Sequence, residues 1–319
     1  MIERTSEKRR SLTVDQLGIV IATTAAGKAE DIHEEADKWL DALDPNDEIL
    51  KEILLARDDG YAGVILSGPP GTSKSWYADK AAQSISEFDR DRVRHIQFHP
   101  SYQYEDFVEG YVADGDKFVR KAKTFALLCQ DASEKPSEQF VLVIDEISRT
   151  DVARVFGEAL TFIEVSKRDQ SFLLASGNEL AVPKNLFIIA TMNPWDRGVD
   201  ELDLALLRRF AHIDMPPKKE VLAKILLDKS VDQRLIDEVG KFFDAIQRST
   251  NPYCRIGHAY FVSVKDKPSL ERLWRFQLKP YFERATKNDT AEFKRLEGAW
   301  TQMLSSLSLA ASGDAPSPQ

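Results

Sequence analysis

Residues 63–83, "GVILSGPPGTSKSWYADKAAQ", join an apolar β-branched run, a glycine- and proline-rich turn and a helical pattern. No other stretch limits the fold so sharply. A strand that passes through such a turn into a helix belongs to an α/β domain, with the turn at a sheet edge. Gly68 and Gly71 let the backbone bend so that its N–H groups point inward. The helix N-terminus adds its positive dipole end. The result is a cradle for phosphate oxygens, made of Gly68, Pro69, Pro70, Gly71, Thr72, Ser73, Lys74 and Ser75, with Trp76 next in line. Lys74 is placed to reach β- and γ-phosphates, and Ser75 to offer a hydroxyl to Mg2+. Ser73 stands where such loops carry their last glycine. A small side chain fits there provided that the backbone keeps a negative φ.

The rest of the chain fits the same architecture. Short apolar runs at 62–67, 92–98, 139–145, 185–191 and 210–215 alternate with helical segments. Runs of this length and composition predict buried parallel strands. The fold expected is therefore α/β: a central parallel five-stranded sheet flanked by helices, over 13–216. Pro216-Pro217 punctuates the chain, and only helical patterns follow. An all-helical second domain is expected over 217–309. Residues 1–12 and 310–319 read as flexible ends, and 29–57 as helical, broken near Asp44-Pro45. Two hairpins are expected, one turning at Asp114-Gly115 and one at Ser176-Gly177-Asn178. Projecting hairpins often carry binding function, but plain connection is an equal alternative.

Composition narrows the functional classes. The net charge of −9 argues against a broad nucleic-acid surface, which needs a basic excess. Contact with nucleic acid is then local, or made by a partner. No run of about 18 apolar residues occurs, so no membrane span is expected, and the charged N-terminus shows no secretory signal. Two distant cysteines among 319 residues suit a reducing cytoplasm. The five histidines have no metal-ligand spacing.

A second motif completes the chemistry. "FVLVIDEISR", residues 140–149, is an apolar strand ending in Asp145-Glu146. Acids at a strand's C-terminal end lie in the crevice where open α/β sheets bind ligands. Asp145 is the candidate Mg2+ holder, through water, and Glu146 the group that polarises the attacking water. Asn193 follows the apolar run at 185–191 and is placed to orient that water. Arg208 and Arg209, before the fifth strand, are surface arginines in one subunit. In a ring, one of them enters a neighbour's site and stabilises transition-state charge; the reading leans towards Arg209. In "FHPSYQYEDFVEGY" (98–111), the acids argue for loop packing rather than a base-stacking platform.

In combination, "GPPGTSKS", "DEISR", "MN" and "ALLRRF" resemble the AAA+ ATPases. Further segments resemble the McrB branch, the motor subunits of methylcytosine-dependent restriction systems: "FHPSYQYEDFVEGY", "DGDKF", "DEISRTDVARVFGEALTFIE", "NELAVPKNLFIIATMNPWDR", "RIGHAYF" and "FQLKPYFERA". The likeness covers most of 60–285 and extends more loosely to the MoxR and dynein-related groups. It implies a ring, hexameric or otherwise, with nucleotide sites between subunits and a helical lid. It implies nucleotide and Mg2+ held by Lys74 and Ser75, Walker B acids at Asp145 and Glu146, and a sensor at Asn193. Arg208 and Arg209 match the arginine-finger segment, and Arg149 a position facing the interface. Arg255 matches a lid sensor only weakly. An McrC-like nuclease partner, action on DNA through the ring or that partner, and a role in restriction and antiviral defence are likewise implied.

The chain departs from that pattern in three places. Ser73 replaces the loop glycine and is expected to slow hydrolysis without abolishing binding. "MNPWD" stands where McrB, a GTP user, has an "MNTAD"-like segment, so ATP is the default fuel and GTP stays open. About 60 residues precede the core, too few for a typical DNA-reading domain, so target recognition is expected on another polypeptide. The leading expectation is an NTPase motor. The alternatives are a nucleotide-gated module that assembles and recruits a nuclease with little turnover, and a MoxR-like chaperone.

Overall fold

The computed structural model describes residues 43–195, 202, 204–287 and 289–309. Expectations for residues 1–12, for most of the helical stretch before Pro45 and for the tail lie outside these residues. Everything below concerns the compact unit from Pro45 onward.

Helix α1 (Glu48–Asp58) starts at Asp47, whose carboxylate accepts hydrogen bonds from Ile49 N and Leu50 N at 2.9 and 3.0 Å. That satisfies two of the donors that a helix start leaves open. Next come β1 (Gly63–Ser67), α2 (Lys74–Ile85) and β2 (Val93–Gln97). Helix α3 (Tyr104–Phe107) leads into a hairpin, β3 (Glu109–Asp114) and β4 (Lys117–Ala122). Helix α4 (Thr124–Glu134), β5 (Phe140–Asp145) and the short helices α5 (Val152–Phe156) and α6 (Ala159–Phe162) follow. The second hairpin is β6 (Ser171–Leu173) and β7 (Glu179–Ala181). Strand β8 (Leu186–Met192), helix α7 (Leu204–Leu207) and β9 (Phe210–Asp214) complete this part.

Five strands form one parallel sheet in the order β2–β5–β8–β1–β9. They are the five apolar runs of the sequence. β1 is buried at every position, and β5 and β8 at all but their last residue, as a sheet covered on both faces requires. Both hairpins also form. The first turns on Gly115-Asp116, one residue beyond the expected pair, because Asp114 pairs with Lys117 and Gly115 takes φ +61°. A left-handed turn residue of this kind matches the twist of a two-residue hairpin.

Two rings of the aromatic stretch 98–111, Phe98 and Phe107, lie in the core, with Tyr102 and Tyr104 packed against it. Phe107 packs on Phe98, Phe125 and Phe156 with ring centroids 5.8, 4.9 and 4.8 Å away. Its exposed rings are those of His99 and Tyr111.

Beyond β9 the described residues are helical: α8 (Lys219–Asp228), α9 (Gln233–Gln247), α10 (Lys267–Leu273), a π-helical turn at Trp274–Leu278, α11 (Lys279–Ala285) and α12 (Thr290–Leu309). They share a hydrophobic cluster separate from the one around the sheet, with Phe242, Phe243, Phe261, Trp274, Phe282 and Trp300 in it. Trp274 and Trp300 stack at 4.6 Å, nearly parallel. Among the described residues, no helix is long and apolar enough to cross a membrane. Cys129 and Cys254 are both free and buried.

Candidate functional site

Sheet order assembles the site. β8 lies between β1 and β5, and all three run parallel. Their C-terminal ends therefore open side by side: the turn 68–73 after β1, Asp145 and Glu146 at the end of β5, and Asn193 after β8.

The turn is held from both sides. Gly68 N donates to Met192 O at 3.2 Å, and Thr72 Oγ1 donates to Pro69 O at 3.0 Å. Gly71 has φ +80°, a conformation that glycine adopts without cost. Ser73 also lies in the left-handed region, with φ 65° and ψ 25°. The condition of a negative φ is thus not met. The turn needs a left-handed residue directly before α2, and the serine accepts that conformation at about 1–2 kcal/mol. Its hydroxyl has a long-range partner: Oγ lies 3.1 Å from Nε2 of His258. The N–H groups of the first turn of α2 have no carbonyl within the helix to bond to, which suits an anion.

Lys74 is buried, and its ammonium donates to Gly68 O and Pro69 O at 2.9 Å each and to Asn193 Oδ1. Ser75 Oγ donates to Asp145 Oδ1 at 3.0 Å, and the buried Thr191 hydroxyl contacts the same oxygen. Thr191 Oγ1 also accepts from Glu146 N at 3.1 Å. Glu146 is a second left-handed residue, with φ 56°. One of its carboxylate oxygens accepts from Asn193 Nδ2 at 2.7 Å. The other lies 3.4 Å from Arg149 Nε. Strained non-glycine residues of this kind gather where surroundings over-determine them, often at functional sites.

So Lys74, Ser75, Asp145, Glu146, Asn193 and Arg149 of one chain are joined in a single network. Among the described residues, no group of three His, Cys, Asp or Glu side chains is arranged to hold a metal. Ser75 and Asp145 offer hard oxygens within hydrogen-bond distance of each other, a donor pair that fits Mg2+ shared with substrate phosphates.

The arginine pair divides. Arg208 is exposed, its side chain two-thirds accessible, and lies 3.5 Å from Glu164 Oε2. Arg209 is buried, 3.3 Å from the same oxygen. Arg255 bonds to Ser249 O within the helical part. Trp76 is half exposed, with its ring edge-to-face against Tyr77, and Trp195 is about one-third exposed. Two residues escaped the sequence reading. Thr191 passes for strand filling inside an apolar run. His258 lies 185 positions from Ser73, and no local pattern joins them.

Residues 63–210 match the family of AAA domains of the dynein-related subfamily. The type IV methyl-directed restriction enzyme EcoKMcrB subunit of Escherichia coli (strain K12) is 34% identical over 240 residues, 70% of this chain and 52% of that protein. The type II restriction enzyme BsuMI component YdiS of Bacillus subtilis (strain 168) is 27% identical over 188 residues, 46% of this chain and 55% of that one. Vacuolar protein sorting-associated protein 4 of Dictyostelium discoideum is 30% identical over 152 residues, 47% of this chain and 28% of that one. The chain spans about half the length of the two restriction proteins.

Proposed function

The chain carries an AAA domain of the dynein-related subfamily and is McrB-like, and from that premise we propose that it hydrolyses ATP with Mg2+ at a site completed by a second copy. The observation that carries this reading is the convergence of Lys74, Ser75, Asp145, Glu146 and Asn193 at the mouth of three adjacent strands.

In this reading the triphosphate lies along the turn 68–73. Its β- and γ-phosphate oxygens take over the Lys74 ammonium from the two backbone carbonyls. Ser75 and Asp145 hold Mg2+, which when bound neutralises phosphate charge. Glu146 accepts a proton from the water that attacks the γ-phosphorus, while the bond to the β–γ bridging oxygen breaks. Asn193, bonded to both Lys74 and Glu146, sets the distance between phosphate and base. A further cation, against the charge of the transition state, comes from a neighbouring copy. Exposure favours Arg208 for that role, reversing the lean towards Arg209, whose side chain is committed to the interior. The helices from 217 to 309 act as the lid, and 13–216 as the base.

The restriction relatives support a further step. We place the chain in a ring that works with a nuclease subunit on DNA, as the motor of a restriction system. A second reading, a nucleotide-gated assembly module with little turnover, is favoured by one observation. Both Glu146 oxygens are engaged within the chain, by Asn193 and Arg149, so the base is held until an assembly event frees it.

Phosphate release by the purified chain with Mg2+ and ATP, or GTP, tests the reading. Turnover that vanishes in Glu146→Gln while nucleotide binding persists is the expected result. Binding without turnover, even with the nuclease partner present, leaves the assembly module standing. No binding of either nucleotide removes both.

A further inference from the structure

The phosphate turn is gripped by a segment far away in sequence. Residues 257–260 of the helical part lie against its second half, Pro70 to Ser73. Gly257 N donates to Pro70 O at 2.8 Å, and Ala259 N donates to Gly71 O at 2.9 Å. The two segments approach so closely that each needs a glycine. A Cβ at Gly257 would come within 2.0 Å of Gly71 O, and one at Gly71 within 2.6 Å of the Tyr260 ring. Between these backbone bonds sits His258, itself buried, with Nε2 3.1 Å from Ser73 Oγ. Its other ring nitrogen, Nδ1, is buried and has no hydrogen-bond partner.

Leaving a bare lone pair buried is less costly than leaving an N–H buried. The ring proton therefore belongs on Nε2, where it donates to the serine oxygen. Burial, with the nearby Lys218 charge, pushes the His258 pKa down to about 4, so the ring is neutral near pH 7 and this tautomer is the resting one.

Three hydrogen bonds thus tie the phosphate turn to the helical part, and one of them involves the residue that replaces the usual glycine. We propose that His258 is a positioning residue for nucleotide binding: its bond to Ser73 holds the left-handed conformation that aims the N–H groups at the start of α2 towards phosphate, and so couples nucleotide affinity to the seating of residues 257–260. A glycine at position 73 would hold that conformation without help. The serine makes the turn dependent on the clamp. The inference rests on the nucleotide-binding reading of the site.

The test is a double-mutant cycle on the full chain, with a fluorescent ATP analogue titrated by anisotropy and folding followed by circular dichroism. In the Ser73 background, His258→Ala is expected to weaken binding about three- to tenfold, the equivalent of one ordinary hydrogen bond. In the Ser73→Gly background the same change is expected to cost less than about twofold, because the clamp has nothing left to hold. His258→Gln, which keeps a donor, is expected to recover most of the affinity in the Ser73 background and covers the case in which His258→Ala unfolds. Equal losses in the two backgrounds mark His258 as packing alone and overturn the clamp. So does a folded His258→Leu chain, which has no side-chain donor at that position, that binds as tightly as wild type and His258→Gln with Ser73 present. A wild-type chain that binds no nucleotide overturns the clamp and the underlying reading together; one that binds but shows no coupling overturns the clamp only.

Discussion

Asn193 Nδ2 donates a 2.7 Å hydrogen bond to Glu146 Oε1, while the same amide's oxygen accepts from Lys74. One planar side chain at the end of a buried strand thus fixes the lysine and the acid relative to each other. The amide cannot rotate without breaking one of the two bonds, so the geometry is set before substrate arrives, which is what electrostatic preorganisation asks of a site. Asn193→Ala removes both restraints. Turnover is expected to fall about 10²-fold or more, within the range for a misaligned general base. Nucleotide affinity is expected to change far less, since the two carbonyls still hold Lys74 in place until the phosphates take it over. Single-turnover phosphate release beside equilibrium binding separates the two effects. An affinity loss as large as the rate loss would refute the alignment role.

The two adjacent arginines predict opposite phenotypes. Arg208 is exposed, so Arg208→Ala is expected to leave the melting temperature nearly unchanged and to cut turnover of the assembled protein roughly 10³-fold, the scale of a missing transition-state cation. Arg209 is buried against Glu164. Arg209→Ala empties a buried position and removes one of the two cations beside that partly exposed carboxylate, and is expected to destabilise the fold by about 1–2 kcal/mol. Thermal melts and assembly-dependent turnover on the same two variants check both statements. A stable Arg209→Ala protein with abolished turnover reverses the assignment.

Much of this was readable in the sequence, for identifiable reasons. The strands of the sheet are buried on both faces, so they appear as continuous apolar runs, and each run from 62 to 215 contains a strand. The residues of the site sit at the ends of those runs, where Lys74, Asp145 and Asn193 announce themselves by chemistry and position. What stayed hidden depends on contacts between distant segments. The sign of φ at Ser73 is set by the turn and by His258, 185 positions away. Thr191 looks like any strand residue until β5 is laid beside β8. Arg208 and Arg209 are equivalent in sequence, and only the orientation of the short helix α7 sends one inward. The hairpin turn moved by one residue because Asp-Gly and Gly-Asp both supply turn chemistry, and cross-strand register chose between them.

Arg168 carries a stability prediction of its own. Its guanidinium is buried and donates to four carbonyls, Ile163 O at 2.7 Å, Pro183 O and Leu186 O at 2.8 Å each, and Ala62 O at 3.3 Å. It ties the entries of β1 and β8 to the segment after α6. Burial lowers its pKa to about 10, so it remains a cation at neutral pH and is solvated by backbone oxygens instead of water. Arg168→Met orphans those carbonyls at once. The expected loss is about 3–5 kcal/mol, at the upper end for a single substitution, measured by urea unfolding. A loss below about 1 kcal/mol would show that water replaces the guanidinium.

His258 makes stability depend on pH in a definite direction. Its ordinary value near 6.5 drops to about 4 in the folded chain, mainly through burial and then through the Lys218 charge. Between those two values an unfolded chain has a protonated ring and a folded chain a neutral one, so the unfolded state binds the extra proton. Stability therefore rises with pH across this window, is fully present above about pH 6.5, and is lost as pH falls towards 4. His258→Gln has no proton to take up. Its melting temperature is expected to fall less than that of wild type between pH 7 and pH 4.5, with the two curves converging in slope above pH 7. Other groups titrate in the same range in both proteins and cancel in the difference. Parallel curves over the whole range would mean that the imidazole is as easily protonated in the folded chain as in water, and that the clamp on Ser73 is open to solvent.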